Sequence, residues 1–265
     1  METRFTRIAL GLWTAAILLF LFVPIVLIII YAFNASNIQS FPIQGFTLKW
    51  FGSAWQNDEI RTALWLSARV GIVSTTIAVL LGTAMAFAVH RFQFFGKEAV
   101  SLVVVLPIAL PGILTGMALN SFFVFWGMGL SYWTIVIGHA TFCIVIVYNN
   151  VIARLRRVSG SLEEASADLG ANTFTTFRRV TLPLISTSLI AGGLLAFALS
   201  FDEVIVTTFT AGAQNTLPLW IFGAIRLGQR LPEVNVVVLA VMAFTIVPVL
   251  FAFRMMDQTT DSTGK

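Results

Sequence analysis

The middle of this chain is a stretch, residues 99–153, that contains no Asp, Glu, Lys or Arg. A helix that crosses a bilayer needs about 20 apolar residues, so this stretch is long enough for two crossings. The whole chain has the same character, with 11% charged and 58% hydrophobic residues. Soluble domains average about 25% charged residues, and a chain with so few lacks the polar surface to cover itself in water. The sequence therefore predicts a membrane protein.

Apolar runs of helical length predict an all-α membrane protein with six transmembrane helices. The first run, residues 8–33, carries no charge and follows Arg4 and Arg7. It is too long for the apolar part of a signal peptide. The Gly-containing residues 127–131 separate the two spans of the uncharged middle. The six spans are predicted at about residues 8–33, 63–89, 99–126, 131–153, 184–203 and 234–253.

The distribution of Lys and Arg predicts the orientation of these spans. With both termini in the cytoplasm (N-in/C-in), eleven Lys and Arg residues lie inside and five outside, which is the bias expected of membrane proteins. This arrangement places residues 154–183 in the cytoplasm and residues 211–233 outside. The basic residues are dispersed among apolar runs. The net charge of +4 therefore indicates orientation relative to anionic lipid rather than nucleic-acid binding.

No catalytic or metal-binding constellation is visible in the sequence. There is no Gly-rich phosphate loop that ends in Lys and Ser or Thr, so the chain is not expected to hydrolyse ATP itself. The single cysteine, Cys143, cannot form an internal disulfide. His90 and His139 are far apart and lack the spacing of metal ligands. The sequence therefore predicts a chain that is not an enzyme and has no cofactor of its own.

The one long polar passage in the second half of the chain, residues 162–183, lies between two predicted spans. Ser161 followed by Glu164 is a capping-box pattern, and Gly170 is the residue type that best adopts the left-handed conformation after a helix end. A helix of about two turns is predicted here, with Glu164 and Asp168 one turn apart. Its narrow face of small and apolar side chains comprises Leu162, Ala165, Ser166 and Leu169. A helix this short is marginal alone in water, so we expect it to need a partner surface.

The same passage carries a family resemblance. Glu164-Ala165-Ser166, Gly170, Val180 and Leu182-Pro183 follow the spacing of the EAA loop of ABC-importer permeases, with Ser166 and Val180 in place of Ala and Ile. The resemblance implies the MetI-like architecture of a type I ABC importer, in which this loop is the coupling helix, seated in a groove of a cytoplasmic ATPase subunit. The residues that it assigns to ATPase coupling are Leu162, Glu163, Glu164, Ala165, Asp168, Leu169, Gly170 and Ala171.

Asp202 and Glu203 are the most informative charges, because they lie at the end of the fifth predicted span. Counting roughly 1.5 Å per residue from Pro183 puts them near the outer end of the membrane. Ionisable groups at such a depth are costly, and they are usually paired or functional. Two interpretations stay open. The acids form an ion pair with Arg69, near the outer end of the second span, or they bind a cationic substrate. The two can coexist, since a substrate ammonium group could exchange for the arginine.

A second resemblance bears on the cargo. Residues 200–209, 217–221 and 232–235 are similar to the second permease subunit of spermidine/putrescine-type importers. The similarity implies a substrate path that includes Asp202 and Glu203, whose carboxylates would attract a polyamine, together with Phe201 and Trp220, whose rings would add cation–π contacts. Related permeases for other small solutes share this architecture, so another small solute is the alternative cargo.

The resemblance also implies partners, because one chain offers one coupling loop whereas the family works with two permease halves. A second permease is expected, a homologous different chain rather than a second copy. Two cytoplasmic ATPase subunits that bind ATP-Mg, an extracytoplasmic substrate-binding protein and the lipid bilayer complete the set, at the inner membrane of a bacterium. The competing classes are an ion-coupled secondary transporter or channel, with Asp202 and Glu203 as the ion site, and a structural membrane subunit without a transport path.

Overall fold

The computed structural model of this chain describes residues 4–244, and that part of the chain folds mainly into helices. The helices in chain order are α1 (Arg4–Ala32), α2 (Lys49–Gln56), α3 (Asp58–Arg91), α4 (Lys97–Ala109), α5 (Gly112–Phe125), α6 (Tyr132–Leu155), α7 (Ser161–Asp168), α8 (Thr173–Thr176), α9 (Leu182–Asp202), α10 (Ile205–Thr210), α11 (Leu217–Arg226) and α12 (Leu231–Phe244). A five-residue π-helical turn, Phe177–Thr181, joins α8 to α9. The predicted all-α fold is confirmed.

Within the described residues, four stretches are long and apolar enough to cross a membrane: Arg4–Ala32, Asp58–Arg91, Tyr132–Leu155 and Thr173–Asp202. Helices α5, α11 and α12 are apolar but shorter. The sixth predicted span, residues 234–253, reaches beyond the described part of the chain. The count of six spans and the N-in/C-in orientation therefore stay predictions.

One of the predicted spans is divided in the structure, and another ends at a break in the helix. The third consists of α4 and α5, because Leu110 adopts an extended conformation ahead of Pro111, and a proline disfavours helical geometry in the residue before it. The fifth is one helix, α9, as far as Asp202, and a break at Glu203 and Val204 separates it from α10, although neither Gly nor Pro marks the break. Helix α10 ends ahead of Ala211, and α11 follows within the predicted external loop.

The chain forms two compact units. The first comprises the described parts of Met1–Ile60 and Ile221–Lys265, and the second comprises Arg61–Trp220. In the second unit, α6 is the central helix, with α4, α9 and α10 packed against it, and most of its residues are buried. Helix α9 runs antiparallel to α6. The Arg154 Nε atom donates to the Leu184 carbonyl at one end (2.9 Å), and His139 contacts Ser200 at the other.

A glycine brings α3 unusually close to α6. A Cβ atom at Gly82 would lie 2.8 Å from the carbonyl oxygen of Ile144 and 3.1 Å from the amide nitrogen of Tyr148. Small residues of this kind allow helix backbones to approach each other in membranes. This crossing holds α3 against α6, and the antiparallel packing described above holds α9 against α6 as well. The three helices therefore bring polar residues of α3, α6 and α9 to one level inside the unit.

Candidate functional site

The first candidate site is the coupling segment, which we define as Ser161–Ala171. Its helix α7 ends in a left-handed glycine, since Gly170 has φ +81. The Gly170 amide donates to the Ala167 carbonyl (2.8 Å), and the Ala171 amide donates to the Ser166 carbonyl (3.1 Å). These two bonds form the Schellman arrangement that satisfies carbonyls at a helix end. The helix stop predicted at Gly170 is confirmed.

The predicted capping box at the start of α7 is wrong. The cap position is Gly160, one residue earlier than expected, and no side chain caps the helix there. Ser161 is already the first helical residue, and its hydroxyl shares a 2.7 Å hydrogen bond with the Ser159 hydroxyl instead. Glu164 is consequently not drawn back to the helix start and stays exposed.

Glu163, the neighbour of Glu164, ties the coupling segment to the membrane helices. Its Oε1 atom accepts hydrogen bonds from Arg91 Nη2, in the last turn of α3, and from Thr181 Oγ1, at the start of α9 (2.6 Å for the latter). The pair with Arg91 is also a salt bridge. A displacement of α7 would therefore reach two different helices through one carboxylate. The EAA pattern begins at Glu164 and does not include Glu163. The partners of Glu163 come from distant parts of the chain, so the pattern does not reveal this link.

The remaining residues of the coupling segment present an open surface. No residue of α7 is buried, and the exposed fraction is 47% for Leu162 and 90% for Leu169. Ala165, Asp168 and Ala171 lie on the same short segment, Ala165 and Asp168 exposed and Ala171 partly buried. The apolar side chains of Leu162 and Leu169 are therefore accessible to a partner protein.

The second candidate site lies at the break in the fifth span. Asp202 and Glu203 line a cavity of about 330 Å³ together with Leu195, Ala198 and Leu199. The last carbonyls of a helix lack partners within the helix, and the helix dipole adds partial negative charge at that end. Two carboxylates therefore meet the negative end of α9 in one cavity. This arrangement favours a cation.

The side chain of Glu203 also contacts the start of the next helix, α10. Its Oε1 atom accepts a hydrogen bond from the Val206 amide (2.9 Å), in the first turn of α10. The carboxylate thus satisfies one of the free N–H groups at the start of a helix. Among the described residues, no hydrogen bond or ion pair is found for the side chain of Asp202, which is exposed. The two acids therefore differ, with Glu203 held in place and Asp202 open to a ligand.

The interpretation of these acids as partners of Arg69 is wrong. Although Arg69, Asp202 and Glu203 are all in the described part of the chain, they form no ion pair there. The guanidinium of Arg69 instead stacks on the ring of Tyr132, 5.0 Å from its centroid, and the Tyr132 hydroxyl donates to the Arg69 carbonyl (3.3 Å). The exposed arginine therefore does not neutralise the acids.

The two aromatic residues predicted on the substrate path do not line this cavity. Phe201 packs against Phe197, with 5.9 Å between ring centroids. Trp220 is only 8% exposed and belongs to the packed part of α11, where the neighbouring Leu217 amide donates to the Ser67 hydroxyl (2.8 Å). Their contact with cargo stays a prediction.

A third polar feature, which no sequence pattern predicts, is a series of hydrogen bonds around His139. The Nδ1 atom of His139 lies 2.8 Å from the Ser200 hydroxyl, and its Nε2 atom lies 2.8 Å from the Thr207 hydroxyl. Ser200 in turn lies 2.9 Å from the Ser74 hydroxyl. Single Ser, Thr and His residues in apolar helices carry no recognisable spacing, so only the packing of four helices reveals this group.

In the first unit, Glu233 has a structural setting. It is 8% exposed, and its two carboxylate oxygens accept from the Ser53 hydroxyl (2.5 Å) and the Asn57 amide (2.9 Å). Nearby, Arg230 pairs with Glu59 at 3.0 Å. Glu233 therefore fastens α12 to the end of α2, which explains a charged residue in that position without a ligand.

Together these features define a helical membrane subunit with a segment open to a partner and an acidic cavity at a helix break. The chain belongs to the family of binding-protein-dependent transport system inner membrane components, whose family model matches residues 78–260. It is therefore a transport subunit and not an enzyme, as predicted. The resemblance drawn from the EAA pattern is confirmed.

Individual relatives agree with this assignment. The chain is 34% identical over 260 residues to the spermidine/putrescine transport system permease protein PotC of Escherichia coli K12, with 97% of this chain and 98% of the relative covered. It is 34% identical over 235 residues to the putrescine transport system permease protein PotI of the same strain, with 84% and 83% covered.

Solved structures show the same fold. A chain of a bacterial ABC transporter involved in the import of the acidic polysaccharide alginate matches with a TM-score of 0.67 and 17% identity, covering 97% of this chain and 98% of that one. A chain of the MetNI methionine ABC transporter matches with a TM-score of 0.60 and 16% identity, covering 75% and 94%. The MetI-like permease architecture is thereby confirmed.

Proposed function

We propose that this chain forms half of the translocation path of an ATP-driven importer for a small cationic solute, a polyamine such as spermidine or putrescine. The observation that carries the proposal is the cavity in which Asp202 and Glu203 meet the negative end of α9. An ammonium group that leaves water needs such partners, because an unpaired buried charge is costly. The names of the PotC and PotI relatives support the same class of cargo.

The proposed partners follow from the two sites. The exposed Leu162 and Leu169 of the coupling segment support contact with a cytoplasmic ATPase subunit, and one such segment per chain implies a second permease for a second ATPase. ATP-Mg would be bound by the ATPase pair. An extracytoplasmic substrate-binding protein would deliver the polyamine, and the whole importer would lie in a bacterial inner membrane.

The coupling step is a rigid displacement of α7. Closure of the ATPase pair would move the coupling segment, and Glu163 would pass the movement to α3 through Arg91 and to α9 through Thr181. Because α9 carries the acidic cavity at its other end, the displacement would change the access to that cavity. Alternating access requires the cargo to bind one of the two packings more tightly than the other.

The experiment that tests the proposal is the ATPase activity of the complete reconstituted importer with its binding protein, against spermidine, putrescine and an uncharged solute. We expect stimulation by the polyamines and a loss of at least tenfold in sensitivity to them in the variant Asp202→Asn/Glu203→Gln. Glu98→Gln, which removes an exposed acid in the first turn of α4, is the control and should keep normal stimulation. An active ATPase without a polyamine response would refute the cargo, and an unaffected double variant would refute the acidic site.

A further inference from the structure

A buried chain of hydrogen bonds crosses the second unit at the level of the break in the fifth span. It runs from Ser74 on α3 to Ser200 on α9, then through the ring of His139 on α6 to Thr207 on α10. The series of hydrogen bonds ends where the Thr207 hydroxyl donates to the backbone carbonyl oxygen of Glu203 (2.7 Å). Four helices and the break itself are thus joined by side chains.

This series of hydrogen bonds is fully enclosed by protein, so its members cannot bond to water instead. His139 is 1% exposed, and Ser200 and Thr207 are buried. Buried polar groups without partners are expensive, and a network of this kind specifies one arrangement of the helices that carry it. Because the Thr207 hydroxyl donates to Glu203, its oxygen accepts a hydrogen bond from the Nε2–H of His139.

The geometry identifies the element that the network holds. Ser200 is close to the end of α9 and Thr207 is in the first turns of α10, so the two nitrogens of one ring contact the two sides of the break. Helix α10 is also held at its far end, where Asn120 Nδ2 donates to the Phe209 carbonyl (2.7 Å) and Thr134 Oγ1 donates to the Thr210 carbonyl (2.7 Å). Of these side-chain contacts of α10, the one with His139 is the only one that leads back to α9.

We propose that His139 is a positioning residue for the acidic pair. By holding Ser200 and Thr207 at once, its ring fixes the distance across the break and so sets where the carboxylates of Asp202 and Glu203 lie. The inference rests on the proposed function in one respect, that these carboxylates face the cargo. His139 itself touches neither carboxylate in the described structure, and it acts through the backbone between Ser200 and Thr207.

Four substitutions distinguish the hydrogen bond made by the Nδ1 atom of His139 from the one made by its Nε2 atom. In His139→Gln the amide nitrogen takes the place of Nε2 and keeps the bond to Thr207, whereas in His139→Asn the amide takes the place of Nδ1 and loses it. Thr207→Val removes the same bond from the other side. Thr208→Val is the matched control, because the exposed Thr208 hydroxyl donates to the Val204 carbonyl (2.8 Å) in the same local way without contacting His139.

The first measurement is uptake of spermidine and putrescine by cells that carry the complete importer. We expect His139→Asn and Thr207→Val to raise the half-saturating polyamine concentration at least tenfold, and His139→Gln and Thr208→Val to change it less than twofold. In the Asp202→Asn/Glu203→Gln background, His139→Asn should add less than twofold, because effects through a shared element are not additive. Multiplied effects, or an equal loss in Thr208→Val, would overturn the positioning role.

A second measurement is independent of the cargo. Val204 lies in the break, and the single natural cysteine, Cys143, is buried. In a Val204→Cys importer, we expect His139→Asn and Thr207→Val to change the rate of reaction with a small thiol reagent at least threefold, and Thr207→Ser and Thr208→Val to leave it unchanged. An unchanged rate in Thr207→Val would overturn the proposal even if His139→Asn failed to assemble.

The two measurements also distinguish this inference from the function on which it rests. A changed thiol reaction rate in an importer that ignores polyamines would refute the cargo and keep the positioning role of His139. Normal polyamine transport with the same thiol reaction rate in every variant would refute the positioning role and keep the cargo.

Discussion

Two regions of this molecule interrupt a helix beside carboxylates, and they do so by opposite means. In the coupling segment, helix α7 stops ahead of Gly170 through backbone hydrogen bonds within the same few residues. The broken span, which we define as Leu182–Thr210, stops at Glu203 without a glycine or proline and is held by side chains of α3, α5 and α6. The first interruption is local chemistry, and the second is a product of tertiary packing.

The burial of the two regions differs in the same sense. No residue of α7 is buried, whereas Val206, Thr207 and Thr210 of α10 are buried. A short exposed helix gains little stability from its own chain, so the coupling segment is completed by a partner. The broken span is completed within the second unit. A substitution in the coupling segment should therefore act on coupling, and one that overpacks the contacts of α10 should act on the stability of the chain itself.

The largest expected effect concerns the coupling segment, where the helix end depends on local backbone conformation. Gly170→Val puts a β-branched residue at φ +81, which costs about 1–3 kcal/mol and would reshape the end of the coupling segment. We expect polyamine uptake to fall at least tenfold while the ATPase of the assembled importer keeps working. Gly160→Val is the control, because Gly160 has φ −60 and open space around it. Normal uptake by Gly170→Val would contradict the assignment of the coupling segment.

The next effect concerns the packing around α10. A Cβ atom at Gly116 would lie 2.6 Å from Cδ2 of Phe209, so Gly116→Ala overpacks the contact between α5 and α10. We expect a destabilisation of about 1–3 kcal/mol, measured as a lower temperature of inactivation of the purified importer. Gly11→Ala, in α1 with nothing within 4 Å, should cause no loss. If both variants were equally stable, α10 would not be held by packing.

The smallest effect tests the link between the two regions. Glu163→Gln weakens the pair with Arg91, whose side chains are about a third exposed (30% and 31%), and exposed pairs contribute about 0.2–1 kcal/mol. We expect Glu163→Gln and Arg91→Gln to lower uptake two- to threefold each, and the double variant to be no worse than either. Independent, multiplied losses in the double variant would show that the two residues do not act as a pair.

Sequence reasoning was accurate where the deciding interactions are short in range. The length of the apolar runs identified the long helices, and the position of Gly170 identified the end of α7. The same reasoning failed by one residue at the start of α7, where Ser161 turned out to be inside the helix. It also left an ion pair between Arg69 and the acids open as one of two interpretations, because a count of residues gives depth in the membrane but not the direction in which a side chain points.

The sequence by itself determined the class of this protein: an apolar helical chain with one polar segment of the EAA spacing, and two acids at the end of a span. Tertiary structure alone decided what surrounds those acids. It placed Arg69 on Tyr132, made Glu163 a link between α3 and α9, and set His139 across the break. Helix length and turn chemistry are written in neighbouring residues, whereas these contacts join residues far apart in the chain, and only the packing of the helices brings them within hydrogen-bond distance.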